Sequence, residues 1–230
     1  MIGQIVYVKG HEESEKQASE AQTSFKKWGW DTYLHEGLTW ENVENSTEYK
    51  DYKIVENSRL LNFKKENNHK FLTKLSCAIN HVRFWRKVVE TNKPMAFIEH
   101  DSICTYSWDN YQFDEYLILN CEFVFRPPNK LGLSQFKDYK WPSFGLCPWP
   151  SDYPLKYYRE NLWKDSNMAP GTGAYAITPL GAKKMLDTIY RNGIDQSDFM
   201  INSFNLKMQC LIPSPVKFNK INLSTSYGIL

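Results

Sequence analysis

Glu99 and Asp101 stand two residues apart at the end of an apolar run, with His100 between them; the stretch reads MAFIEHDSI over 95–103. A short apolar run of this kind reads as an interior strand. Charged side chains stay in such a strand only when they are paired or bind a metal. The two acids therefore mark either a solvated turn or a site on the strand end. Ligands of open α/β sheets bind outside the carboxyl ends of the strands, and hard carboxylate oxygens at that place suit a divalent cation.

Two further stretches carry suitable residue types. GTGAY (171–175) lacks the spacing of a dinucleotide fingerprint and leads into a strand instead of a helix. Its glycines permit close approach of a ligand to the backbone, or simply serve a tight turn. NGIDQSDF (192–199) holds Asp195 and Asp198. Asp195 or Ser197 is explained as a helix N-cap, which accounts for one acid and not both. Three residues apart at a helix start, the two carboxylates can point the same way, and one can serve as a general base. His81, one helical turn from both Cys77 and Trp85, reads equally as a core histidine or a site residue. Val8, Lys9 and Gly10 follow the first apolar run, where a nucleotide would enter, and Arg59 is a cation for a phosphate. HEESE (11–15) lacks the second histidine that a helical metal motif needs and reads as a solvated face.

These residues need elements to hold them. QIVYV (4–8), a helix over 11–29 ending at Gly29, and WDTYL (30–34) give the strand–helix–strand rhythm of a parallel sheet. Residues 36–70 are polar and read as irregular, with a short helix near 56–66. The clearest helix spans 75–94, with Ile79, Val82, Trp85, Val88 and Val89 on an apolar stripe and Arg83, Arg86 and Lys87 outside it. Strands are predicted at 95–99, 116–120, 121–125, 171–178 and within MQCLI (208–212). Pro179 opens a helix that ends at Gly193, with Leu180, Met185, Leu186 and Ile189 inward, and a short helix lies within 196–206. The pattern predicts an α/β chain with a mixed, mostly parallel central sheet flanked by helices.

At 230 residues the chain is long enough for one full core. A net charge of +2 gives no strong attraction to nucleic acid or anionic membrane. Five cysteines, an odd number without a Cys-x-x-Cys pair, favour reduced thiols over a disulfide framework. No apolar stretch approaches the ~20 residues of a membrane span, and the opening MIGQIVYVKG does not resemble a signal peptide; a cytoplasmic location is expected. Aromatic residues are concentrated in WPSFGLCPWPSDYPLKYYRENLW (141–163). Long irregular stretches in compact domains are commonly binding loops or lids. The region 126–170 therefore reads as an acceptor-side insertion, with Trp149, Tyr153, Tyr157 and Trp163 as stacking faces for an acceptor; the alternative is that these rings pin the insertion to the core.

KLSCAINHVRFWRKVVETNKPMAFIEHDSI and GTGAYAITPLGAKKML, followed by IDQSDFMI, resemble in order the blocks of glycosyltransferase family 25, the lipooligosaccharide and collagen galactosyltransferase group. The resemblance covers roughly 70–205. Asn80 stands where the family often has Ser. The resemblance implies a single GT-A-like domain over 1–230 and a metal-dependent, inverting transfer from a nucleotide sugar, with a UDP-sugar as the leading donor. It implies Mn²⁺ or Mg²⁺ on Asp101 and Glu99, with Glu99 alternatively meeting the ribose. Placement in the chain adds Val8, Lys9, Arg59, His81 and His100, with Gly171, Thr172 and Gly173, as donor-binding residues, and Asp198 or Asp195 as base. The acceptor is a hydroxyl of a soluble glycan, a protein or a hydroxymethylated DNA base. A nucleotidyltransferase and an inactive glycan-binding or nucleotide-sugar-binding module are the competing readings.

Overall fold

The computed structural model describes residues 1–56, 58–107, 110–121, 145–151, 162–169 and 171–218. Seven strands form one sheet: β1 (Ile2–Tyr7), β2 (Asp31–Glu36), β3 (Met95–Glu99), β5 (Tyr116–Ile118), β6 (Gly145–Pro148), β7 (Ala174–Ile177) and β8 (Met208–Ile212), in the order β2-β1-β3-β7-β5-β8-β6. β4 (Ser102–Cys104) and β9 (Val216–Phe218) make a separate antiparallel pair. β1 pairs in parallel with β2 and β3, and β5 with β8. β7 is antiparallel to both β3 and β5, and β6 to β8. All strands of the large sheet except β6 and β7 therefore run the same way, and the mixed, mostly parallel α/β sheet is the one expected.

Alternation along the strands makes two cores, since successive residues face opposite sides of a sheet. Phe97, Tyr175, Tyr116 and Ile118 face one side, where α4 (Asn68–Thr91) and α5 (Pro179–Asn192) pack. Ala96, Ile98, Leu117, Ala174 and Ala176 face the other, toward α1 (Glu12–Lys27) and the β4–β9 pair. The helices end where their sequences say they should. The His11 ring caps α1, and Lys26 and Lys27 lie in its last turn. Asn67 caps α4, which stops at Asn92 in the left-handed region. Thr178 caps α5 with Pro179 in the first turn.

Several expectations are corrected. Val89 and Leu180 are exposed, at 37% and 57%; each lies at a helix end, beyond the sheet its stripe covers. The short helix expected near 56–66 is α3 (Arg59–Glu66), but the rest of 36–70 is not irregular throughout: it also holds a 3₁₀ turn (Val43–Asn45) and α2 (Thr47–Asp51), and α4 begins at Asn68. The short helix within 196–206 is one turn, α6 (Ser197–Met200). Part of the stretch expected as an insertion, 145–148, belongs to the sheet as edge strand β6. The strand expected at 121–125 begins with a turn at Cys121 and otherwise lies outside the described residues. All five cysteines are free thiols, and no described helix is long and apolar enough to cross a membrane.

Candidate active site

The sheet brings the acids together. In the parallel β1–β3 pair, Val6 is level with Glu99, so both strands emerge at one edge. β7 runs the other way, so its entry lies at that same edge: the Glu99 N–H donates to the Gly173 carbonyl at 2.7 Å. One residue earlier, Thr172 Oγ1 donates to Asp198 Oδ1 at 2.9 Å and lies 3.3 Å from Ser197 Oγ, fixing the start of α6. Glu99 from β3, Asp101 from the turn after it, and Asp198 from α6 thus share one cleft. The close approach needs glycine at 173. A Cβ there would lie 2.4 Å from the Phe218 ring and 3.0 Å from Glu99 Oε2.

The electrostatics match three acids crowded at a half-closed edge. Burial, with the charges of Asp101 and Asp198, raises Glu99 to about 8. Burial raises Asp101 to about 6. Burial also raises Asp198, against the opposing pull of the Thr172 hydrogen bond and of Lys74. Asp101 Oδ1 is buried and accepts no hydrogen bond from the described residues. Cys77 and Lys74, both on α4, look into the same cleft. The Cys77 thiol is exposed, yet its crowded surroundings push it up to about 11. Both groups sit within the charge field of Glu99 and Asp198.

The remaining expected residues divide. His100 turns to the opposite side, beside His11 and the backbone of Val6, and its imidazole is held below the usual range mainly by burial. Val8 donates its N–H to Ser14 Oγ at 2.9 Å, and Lys9 pairs with Glu36 at 3.2 Å; both lie just past β1 at the active edge. Arg59 is exposed, its guanidinium 5.3 Å from the Phe63 ring. Gly171 lies two residues before Gly173 with φ 136°.

Four expected residues are reassigned, and two lie outside the described residues. His81 is 2% exposed, bonded through Nδ1 to Tyr175 Oη at 2.9 Å, with its ring centroid 4.0 Å from that of Phe97; burial lowers it to about 3, so it is a neutral core residue and not a donor contact. Asp195 is fully buried, with Oδ1 accepting from Ser58 Oγ at 2.5 Å and from the Gln196 N–H at 2.8 Å. It ties α3 to the α6 loop and has no open path to a substrate. Trp149 and Trp163 are 7% and 4% exposed and join the core, so neither offers a stacking face. Tyr153 and Tyr157 lie outside the described residues.

Sequence reasoning missed Lys74 and Phe218. Lys74 carried a signal, because it sits three residues before Cys77 on a predicted helix whose face leads to the acid-ended strand. Phe218 carried none: a three-residue strand after Pro215 has no period to read. Asn80, where another residue was expected, has a structural task. Its amide accepts from the Leu38 N–H at 2.8 Å and donates to the Leu38 carbonyl at 3.0 Å, holding α4 to the chain beyond β2.

The sequence model of Glycosyltransferase family 25 (LPS biosynthesis protein) matches residues 41–201, more than half of the chain and a span that contains every acid of the cleft. A search of curated proteins finds no match.

Proposed function

The chain belongs to glycosyltransferase family 25, and from that premise we propose a metal-dependent, inverting transfer of a sugar from a nucleotide sugar to an acceptor hydroxyl at this cleft. The observation that carries the reading is the meeting of Glu99, Asp101 and Asp198 at the edge where β3 ends and β7 begins. Asp101 and Glu99 would hold Mn²⁺ or Mg²⁺. The buried, unpartnered Asp101 oxygen fits that task, being costly without a partner. Among the described residues no three His, Cys, Asp or Glu side chains form a complete ligand set. Such cations in phosphate-handling sites often take only one or two carboxylates and complete their shell with substrate phosphates and water. When bound, the ion neutralises charge on the diphosphate leaving group.

The chain's own groups do the rest. Asp198, oriented by Thr172, accepts the proton of the acceptor hydroxyl as that oxygen attacks the anomeric carbon. The bond from the anomeric carbon to the diphosphate breaks on the opposite side, and its electron pair leaves with the diphosphate. The raised proton affinity of Asp198 suits a base better than an ordinary carboxylate. A UDP-sugar is the first donor to test. A glycan hydroxyl is the first acceptor, because the family description names LPS biosynthesis; protein and hydroxymethylated DNA acceptors form the other arms.

The test is donor turnover with Mn²⁺, with and without EDTA, in wild type and Asp101→Asn. Turnover should vanish in both EDTA and the variant, with the variant still melting cooperatively as a folded protein. Near-wild-type turnover of Asp101→Asn at saturating Mn²⁺ would remove the metal role.

A further inference from the structure

Asn120 is 1% exposed, and neither its amide oxygen nor its amide nitrogen has a hydrogen-bond partner among the described residues. An amide buried in this way is costly, and native proteins that keep one usually reserve it for water, an ion or a ligand. Its address is informative. Ile118 on β5 is level with Tyr175 on β7, which is level with Phe97 on β3. The Leu119 N–H then donates to the Ala174 carbonyl at 3.2 Å. One residue further along each strand, Asn120, Gly173 and Glu99 come level at the active edge. A glycine, which has no side chain, separates a carboxylate from an unpartnered amide.

Among the described residues, none hydrogen-bonds this amide. A carboxamide offers one acceptor and two donors, the set that reads adjacent hydroxyls. Carboxamides are neutral, so the diphosphate and its counter-ion are poorer partners than a sugar ring. We infer that Asn120 is a specificity-determining residue that binds hydroxyls of the transferred sugar, beside the Phe218 ring that covers Gly173. The inference rests on the glycosyl-transfer reading and adds the group that recognises the sugar.

The experiment compares wild type with Asn120→Leu, which keeps the volume without the polar atoms, and Asn120→Ala, which leaves room for water. Binding of UDP, GDP, ADP and CDP is measured beside turnover of UDP-glucose, UDP-galactose, GDP-mannose and ADP-glucose, and beside melting temperature. Asn120→Leu should melt a few degrees higher than wild type, because an unpaired buried amide is gone. Its kcat/KM for the preferred nucleotide sugar should fall by on the order of 10–1,000-fold, with affinity for the matching nucleoside diphosphate within about twofold of wild type. Asn120→Ala should show the same split between sugar turnover and nucleotide affinity. Unchanged kcat/KM in both variants overturns the inference, as does a parallel loss of nucleotide and sugar recognition. A lower melting temperature for Asn120→Leu also overturns it, by showing that the amide supports the fold. A wild-type chain that binds none of the four diphosphates and turns over none of the sugars overturns the proposed function itself.

Discussion

Gly173→Ala tests whether the cleft is as tight as its geometry says. The added Cβ would sit 2.4 and 2.5 Å from Cζ and Cε1 of Phe218 and 3.0 Å from Glu99 Oε2. Carbon atoms pack at about 3.5–4.0 Å, so the Phe218 ring must retreat by roughly 1 Å. It is the far end of a side chain at a partly exposed strand end, which puts the penalty at the low end of overpacking, about 1–2 kcal/mol. For a chain of this size that lowers Tm by roughly 2–8 °C. Glu99 has less freedom, because its N–H is bonded to the carbonyl of residue 173 itself. Displacing its carboxylate should cut donor turnover by on the order of 100-fold, as ångström-scale misplacement does. Phe218→Ala removes the larger clash, so Gly173→Ala should be nearly neutral for stability in that background, a coupling of about 1–2 kcal/mol. Turnover should stay low in the double variant, since the Glu99 contact remains. Melting curves and initial rates on the four proteins decide the matter. Equal Tm losses in both backgrounds, or a fully active Gly173→Ala, would refute the reasoning.

Asp198→Ala should lower turnover by ~10²–10⁴-fold at nearly constant Tm. Asp195→Ala should instead cost about 1–3 kcal/mol of stability, because it strands the Ser58 hydroxyl in the interior; the opposite pattern would exchange their roles. The metal-free protein should lose stability as pH rises from 4.5 toward about 8, because folded Glu99 retains a proton that the unfolded chain releases over that window, and Mn²⁺ at pH 8 should restore Tm; a flat Tm profile across the window speaks against a buried acid pair. Trp149→Ala should cost about 3–5 kcal/mol as a core truncation, and an unchanged Tm with weakened acceptor use would return Trp149 to the acceptor surface.

Elements with their own period were legible, and elements defined by neighbours were not. The stripe of α4 and the run MAFIE each bury several residues at fixed spacing, so sequence alone located the strand at 95–99 and the body of the helix, whose start at Asn68 lies before the expected 75. α2 buries only Glu48 and shows no stripe, whereas α3, expected near 56–66, was legible from Leu60 and Phe63. β4 and β9 are three residues long and exist only because they pair with each other. The same division holds at the site. Glu99, Asp101 and Asp198 announced themselves as acids where a strand ends or a helix starts. Asp195 looks identical in one dimension, and only the approach of Ser58, 137 residues away, shows it to be structural. His81 and Trp149 are ambiguous for the same reason: a histidine or tryptophan suits a core and a ligand equally, and burial decides.

The orientation of β7 explains why GTGAYAIT can serve core and cleft together. In an all-parallel sheet the residues before this strand would enter at the edge opposite Glu99. Because β7 is antiparallel to both β3 and β5, its entry meets their exits, and Thr172 and Gly173 arrive beside Glu99 and Asp198. Two residues on from Gly173, Tyr175 anchors the strand. Its ring stacks on Phe97 and Tyr116, at 5.5 and 4.8 Å between centroids. Its hydroxyl takes the Trp85 indole N–H at 3.0 Å and meets His81 Nδ1 at 2.9 Å, both from α4. The helix that carries Lys74 and Cys77 into the cleft is therefore fixed to the strand that carries Thr172 and Gly173. Loosening the fully buried Tyr175 would move both walls of the site at once.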